Sequence, residues 1–274
     1  MRQIPTDLAW FSPTTERAAL DLVAQYPQAT LMGGGQTLVP QWGQTAYPQQ
    51  VICLNQISAL KGIKLESNRL LIGAGVSLEE LAQAALVQQW VPALSQLVLT
   101  MGDAFMRHRA TVAGALCTTT SSHCIAVALL GLNAQVHTSR RHFYVHEYFS
   151  DRAQGLQLQA GELIQSISLE LPTATSYQSV RLVPARPALL SLFASRLAGR
   201  FFVGIGGLGM PTLRATALEQ QLQQQTPDQI TAFWQGFFKK QPPLGSNEAE
   251  KQYIQAQTQR LFIQLLAELS DSDP

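Results

Sequence analysis

The sequence predicts a chain of mixed helices and strands in two parts, on three observations. Segments of helical and strand periodicity follow one another along its 274 residues, 46% of which are hydrophobic, enough to bury a substantial core. A glycine triplet, Gly33-Gly34-Gly35, stands directly after a short apolar run, where a strand would turn. Pro172-Thr173-Ala174-Thr175-Ser176 interrupts the pattern and is the best candidate for a domain boundary, dividing 1–173 from 174–274.

The first elements follow in order. Thr14 and Thr15, between Pro13 and Glu16, open a helix over 14–26 that places Ala19, Leu22, Val23 and Tyr26 on one face. Residues 29–32 read as the strand entering the glycine turn, 51–54 as a second buried strand and 70–75 as a third. Ser77 and Glu80 have the spacing of a capping box, and Leu78, Leu81, Ala82, Ala85 and Leu86 form the apolar stripe of the helix it opens. Residues 91–99 are again helical, while 134–138, 143–144 and 163–171 alternate like strands, the last ending at Pro172. Beyond the boundary, 177–183, 188–196 and 201–207 read as strands or as a strand with a helix, and 211–225 and 249–269 as helices. The glutamines of 220–225 fit the solvated face of a helix end.

Bulk properties exclude several classes. A net charge of +1 with 14% charged residues gives no electrostatic footprint for nucleic acid or an anionic membrane. The longest apolar run, 125–132, is too short to span a bilayer, and no basic start followed by an apolar core marks a secretory signal, so a cytoplasmic location is expected. Cys53, Cys117 and Cys124 form no CxxC pair, which argues against a disulfide framework or an iron–sulfur cluster held by this chain. Cys117, His123 and Cys124 lack a fourth ligand at sensible spacing, and no metal is expected.

Two segments carry the chemistry. In Leu31-Met32-Gly33-Gly34-Gly35-Gln36-Thr37-Leu38-Val39-Pro40, glycines allow positive φ and close approach, leaving amide N–H groups available to an anion; a phosphate cradle is the natural reading. The second segment, residues 109–122, is dense in small residues and hydroxyls to a degree unusual for a plain loop.

These motifs, in this order, resemble the FAD-binding medium subunit of the molybdenum hydroxylases. Residues 33–40 match the family's Ala-Gly-Gly-(Gln/His)-Ser-Leu-Leu-Pro turn at most positions, and Leu71-Ile72-Gly73-Ala74-Gly75 with Leu78-Glu79-Glu80-Leu81 is similar to its Ile-Gly-Ala strand and following helix. Arg107-His108-Arg109-Ala110-Thr111-Val112-Ala113-Gly114 resembles Arg-Asn-x-Gly-Thr-Ile-Gly-Gly-Asn, and Gly161-Glu162-Leu163-Ile164 resembles Gly-Glu-Leu-Ile. Gly245-Ser246, then Tyr253 and Arg260, are similar with looser spacing to a C-terminal Gly-Ser-x-x-Tyr-Arg.

The resemblance implies an α+β fold in which two subdomains of the molybdopterin-dehydrogenase type clasp FAD, followed by a small α+β domain. It implies a pyrophosphate between Gly33, Gly34, Gly35, Gln36, Thr37 and Leu38 on one side and Thr111, Val112, Ala113 and Gly114 on the other. Leu163 and Ile164 would pack on the flavin or adenine, and Arg181 stands where a lysine is common. The flavin would do the redox chemistry, so no catalytic side chain is expected. Electrons would come from a partner's 2Fe–2S clusters and pass to NAD or another acceptor, while a molybdopterin subunit oxidises the substrate. The second segment departs from the family: Ala110 and Ala113 replace glycines, His108 and Ala115 replace asparagines, and Cys124 replaces an aspartate that contacts FAD. Were Ala110 or Ala113 to need positive φ, each would cost about 1–3 kcal/mol. Two other readings stay open: a non-catalytic scaffold on a flavin fold that has lost FAD, and an enzyme like UDP-N-acetylenolpyruvoylglucosamine reductase.

Overall fold

The computed structural model describes residues 8–42, 47–118, 124–149, 158–159, 161–181, 188–207, 210–224, 234, 236 and 248–270. Three sheets organise them. The first is a small parallel sheet of β1 (Ala9–Phe11), β2 (Thr30–Met32) and β3 (Gln50–Cys53), in the order β1-β3-β2. Helix α1 (Glu16–Gln25) joins β1 to β2, as the threonine pair predicts: Thr15 is its N-cap and accepts from the Ala18 N–H at 3.2 Å. Met32, Trp42, Val51 and Cys53 form the core of this small unit. A four-residue helix, α2 (Leu38–Gln41), follows the glycine turn.

The second sheet is antiparallel, in the order β4 (Ile63–Glu66), β5 (Arg69–Gly73), β8 (Ile164–Glu170), β6 (Gln135–Thr138) and β7 (His142–Tyr144). Ser77 caps α3 (Leu78–Gln83) in the expected box: its Oγ accepts from the Glu80 N–H at 3.1 Å, and Glu80 accepts from the Ser77 N–H at 2.8 Å. The helix predicted to continue past 83 instead breaks at Ala84, which is extended (ψ 123°), and restarts as α4 (Ala85–Trp90) and α5 (Pro92–Leu99). The break lets Leu81, Val87, Leu94 and Leu97 all reach the same core.

Within its described residues the 109–122 segment is helical at Arg109 and over Val112–Leu116. It holds the end of α6 (Ala104–Arg109), the whole of α7 (Val112–Leu116) and, beyond 119–123, leads into α8 (Cys124–Gly131). The apolar run at 125–132 is buried on every side, as a central helix with no polar face must be.

The third sheet, in the order β12-β11-β10-β9, comprises β9 (Ala174–Val180), β10 (Leu190–Leu197), β11 (Arg200–Gly207) and β12 (Met210–Arg214). Part of the helix expected over 211–225 is therefore strand. Pro211 is tolerated because β12 is an edge, and α10 (Thr216–Gln224) begins only after it. Helix α11 (Glu248–Ser270) covers β9 and β10. Along β10, Phe193 joins the core containing α8, whereas Leu192 and Ala194 join the core containing Phe262 and Leu265 of α11; strand alternation thus puts the sheet between two helices. Short α9 (Val145–Phe149) packs against β12.

Candidate cofactor site

The glycine turn is built against the second segment, backbone to backbone. A Cβ on Gly34 would overlap the carbonyl oxygen of Arg109, and one on Gly33 would lie 2.5 Å from Thr111 Oγ1. Gly35 has φ +71°, the left-handed region that glycine enters at no steric cost. Triplet and segment therefore meet because the first two glycines carry no side chain and the third can turn.

The two sides of this contact differ in what they can donate. Among the described residues, the N–H groups of Gly34, Gly35, Gln36 and Thr37 donate no hydrogen bond within the chain. Gln36 Nε2 donates to Gly34 O at 3.3 Å, and Val39 N donates to Gly35 O at 3.0 Å, so the turn is held through its carbonyls. On the other side four donors are used: Val112 N on Val76 O at 2.9 Å, Ala113 N on Ala74 O at 3.2 Å, Gly114 N on Thr111 Oγ1 at 3.2 Å, and Ala115 N on Thr111 O at 2.8 Å; the Thr111 N–H, like those of the turn, donates no hydrogen bond within the chain. Ala110 lies at φ −63° and Ala113 in α7, so neither alanine occupies a conformation that needs glycine.

Cavities open around the contact. One of about 480 Å³ is lined by residues 33–38 on one wall and by Thr111, Gly114, Ala115, Cys117 and Thr118 on the other, with Met101, Met106 and Ile125 at an apolar end. Thr37 and Thr118 Oγ1 face each other at 3.4 Å; because Thr118 donates its proton to Gly114 O at 2.8 Å, Thr37 supplies the proton in that contact. A smaller cavity of about 110 Å³ joins Gly33, Thr111, Ala113 and Gly114 to Leu163, Ile164 and Ala74. Of the residues expected from the sequence, 33–38, Thr111, Ala113, Gly114, Leu163 and Ile164 thus line these two cavities, which share Gly33, Thr111 and Gly114. Val112 is fully buried in the core instead. Arg181 Nη2 donates to Thr100 Oγ1 at 2.7 Å and Tyr177 Oη at 3.2 Å and lines neither cavity. His123, the Cys124 side chain, Gly245 and Ser246 lie outside the described residues. Met101 and Met106 gave no signal in the sequence; Thr118 did, as one hydroxyl of the rich 109–122 segment.

Charged groups around the cleft are fixed by named partners. Glu162, buried beside the smaller cavity, accepts from Arg141 Nε at 2.8 Å and Nη2 at 3.0 Å, from Thr138 Oγ1 at 2.8 Å and from Gln159 N at 2.8 Å. The guanidinium, chiefly, holds its carboxyl down at about 2. Arg107 Nε donates to Glu79 at 2.8 Å, lowering that carboxyl, while Nη1 reaches the carbonyls of Leu99, Met101 and Gly102, fixing the loop that carries Met101. Burial pushes the Cys117 thiol up to about 12, leaving a neutral group on the cavity wall. Among the described residues no cluster of three or more His, Cys, Asp or Glu side chains is placed to hold a metal ion.

Two neighbouring cavities with free amide donors on a glycine turn, hydroxyls opposite and apolar side chains in their walls offer the groups a dinucleotide needs: donors for its anion and apolar surface for its rings. The family described as FAD binding domain in molybdopterin dehydrogenase matches residues 6–173. The chain belongs to that family. This FAD-binding chain is 30% identical over 113 residues to the carbon monoxide dehydrogenase medium chain of Hydrogenophaga pseudoflava, covering 40% of this chain and 39% of that one. It is 25% identical over 176 residues to the caffeine dehydrogenase subunit beta of Pseudomonas sp. (strain CBB1), covering 62% and 59%. These matches span less than two thirds of the relatives' own length. In fold it is similar to carbon monoxide dehydrogenase from Hydrogenophaga pseudoflava (TM-score 0.86, 20% identity, 99% and 100% covered) and to quinoline 2-oxidoreductase from Pseudomonas putida 86 (0.85, 18%, 98% and 99%). The α+β flavoprotein fold and FAD as the cofactor are therefore those expected from the resemblance. Among the described residues no helix is long and apolar enough to cross a membrane.

Proposed function

We propose that this chain is the FAD-bearing electron-transfer subunit of a molybdenum-hydroxylase-type oxidoreductase. Free N–H donors of Gly34, Gly35, Gln36 and Thr37 on a cleft whose far wall carries Thr111 and Thr118 are the observation that carries this reading. In it, those four residues hold the FAD pyrophosphate, and Leu163 and Ile164 pack against one ring system. FAD, once bound, supplies one- and two-electron chemistry. The chain's residues bind it, orient it and keep water from its apolar ends.

In the same reading residues 1–173 form the cofactor unit and 174–274 a separate domain. A 2Fe–2S subunit delivers electrons, a molybdopterin subunit oxidises the substrate, and NAD or another acceptor takes the electrons away, all in the cytoplasm. The relatives' names support a multisubunit setting, since one is a medium chain and the other a subunit beta. The test is anaerobic mixing of the flavin-loaded chain with a reduced 2Fe–2S subunit of a molybdenum hydroxylase from the same organism. Bleaching of the flavin's visible band, and its return on adding NAD, is expected; a flavin that stays oxidised beside the reduced cluster would overturn the proposal.

A further inference from the structure

The reverse side of the Gly34–Arg109 contact carries a second set of groups. A cavity of about 450 Å³ there is lined by Trp10, Met32, Val39, Asn55 and Arg109 along with the back of the glycine turn. Trp10, on edge strand β1, is 47% exposed, and its indole N–H donates to Ser12 Oγ at 3.1 Å. Asn55 and Arg109 also line an adjoining cavity of about 320 Å³ that adds Lys61 and His108. Among the described residues Lys61 and Arg109 form no ion pair. The carboxylate in that lining, Glu80, is already committed to the Ser77 N–H.

A helix-dipole role explains a basic residue at the end of α6, but not why it shares one cavity with an exposed indole and the adjoining one with a lysine from another loop. An aromatic face beside two unpaired cations is the chemistry that receives a base and a phosphate together. We propose that this Trp10–Arg109 face is a second nucleotide site, taking a ligand with an aromatic base and at least one phosphate. The base stacks on Trp10, the phosphate sits on Arg109 and Lys61, and the Asn55 amide lies between. The site adjoins the FAD cavities, since Gly34, Gly35 and Gln36 also line the 450 Å³ cavity and Asn55 the smaller FAD one, but it goes beyond the FAD reading because Trp10, Lys61 and Arg109 line neither cavity assigned to FAD.

The test is calorimetry on the full chain saturated with FAD, titrating ADP, adenosine and inorganic pyrophosphate separately. ADP is expected to bind one per chain with Kd below about 1 mM, and each half-ligand about tenfold or more weaker. Arg109→Gln and Trp10→Ala are each expected to weaken ADP by about tenfold with bound flavin unchanged. Trp10→Phe, which keeps an aromatic face, is expected to retain most of the affinity and guards against a folding defect. No ADP binding to FAD-saturated protein, ADP that displaces FAD, or ADP affinity indifferent to Arg109→Gln would each overturn the proposal. A chain that takes up no FAD defeats the electron-transfer reading alone, because Arg109-dependent ADP binding can still be measured on it.

Discussion

At the scale of single residues, Gly34 and Glu162 bear the most weight. The methyl of Gly34→Ala has nowhere to go but into the Arg109 carbonyl, and backbone cannot swing aside as a side chain can. A cost of about 1–3 kcal/mol is expected, read as a lower midpoint in denaturant melts, together with weakened FAD uptake in a flavin titration. Glu162 is fully buried and held at about 2, below its ordinary 4.5. A carboxyl with a depressed folded-state pKa adds stability that is fully present above its unfolded value and lost as pH falls through the folded one. Stability is therefore expected to decline from about pH 4.5 toward pH 2, and Glu162→Gln to flatten that decline. The same variant removes the charge from the Arg141–Glu162 contact and should cost about 1–3 kcal/mol at neutral pH in urea unfolding.

At the scale of elements, the second segment sets the character of the site. The N–H groups of Val112 to Ala115 are spent on Val76, Ala74 and the Thr111 cap, so it contributes shape, hydroxyls and the Thr111 N–H, and the first turn supplies most of the amide donors. Ala113→Gly restores a family residue, yet it is expected to leave FAD affinity unchanged in a flavin titration and to cost about 1 kcal/mol of stability, because glycine only loosens a helix here. Sequence reading placed most strands, both caps and the glycine turn, since each has a local signal: Thr15, the Ser77–Glu80 pair, the Gly33-Gly34-Gly35 run. It missed what only tertiary packing decides. Helices α6 and α7 are six and five residues long and too short for a periodic signature, β1 is three residues, and β12 contains a proline that its edge position permits. The interruption at Ala84 was equally invisible, because alanine favours helix and the core beneath it overrides that preference. Arg181 is placed by resemblance, and its bond to Thr100 is a long-range fact that no local pattern encodes.

Across the whole molecule, the third sheet is tied to the cofactor-bearing part through α8 and Arg214. Gly204 lets the α8 backbone lie on β11, where a Cβ would overlap the Val127 carbonyl oxygen. Arg214 grips Glu219 Oε2 at 2.8 Å, donates to Asn133 Oδ1 at 2.8 Å and stacks 4.5 Å over the Phe202 ring, joining β12, α10 and the turn after α8. Arg214→Ala leaves Glu219 buried without its cation and is expected to cost about 3–5 kcal/mol, seen as an earlier thermal transition. The central claim remains the grip of the first turn on FAD, and it is tested most directly by flavin released on heating, counted per chain, for the parent and for Gly35→Asp. One FAD per chain in the parent is expected, and its loss in the variant, whose carboxylate would face the pyrophosphate from a φ +71° position. A colourless parent that takes up no added FAD, or a Gly35→Asp chain that keeps stoichiometric flavin, would contradict it.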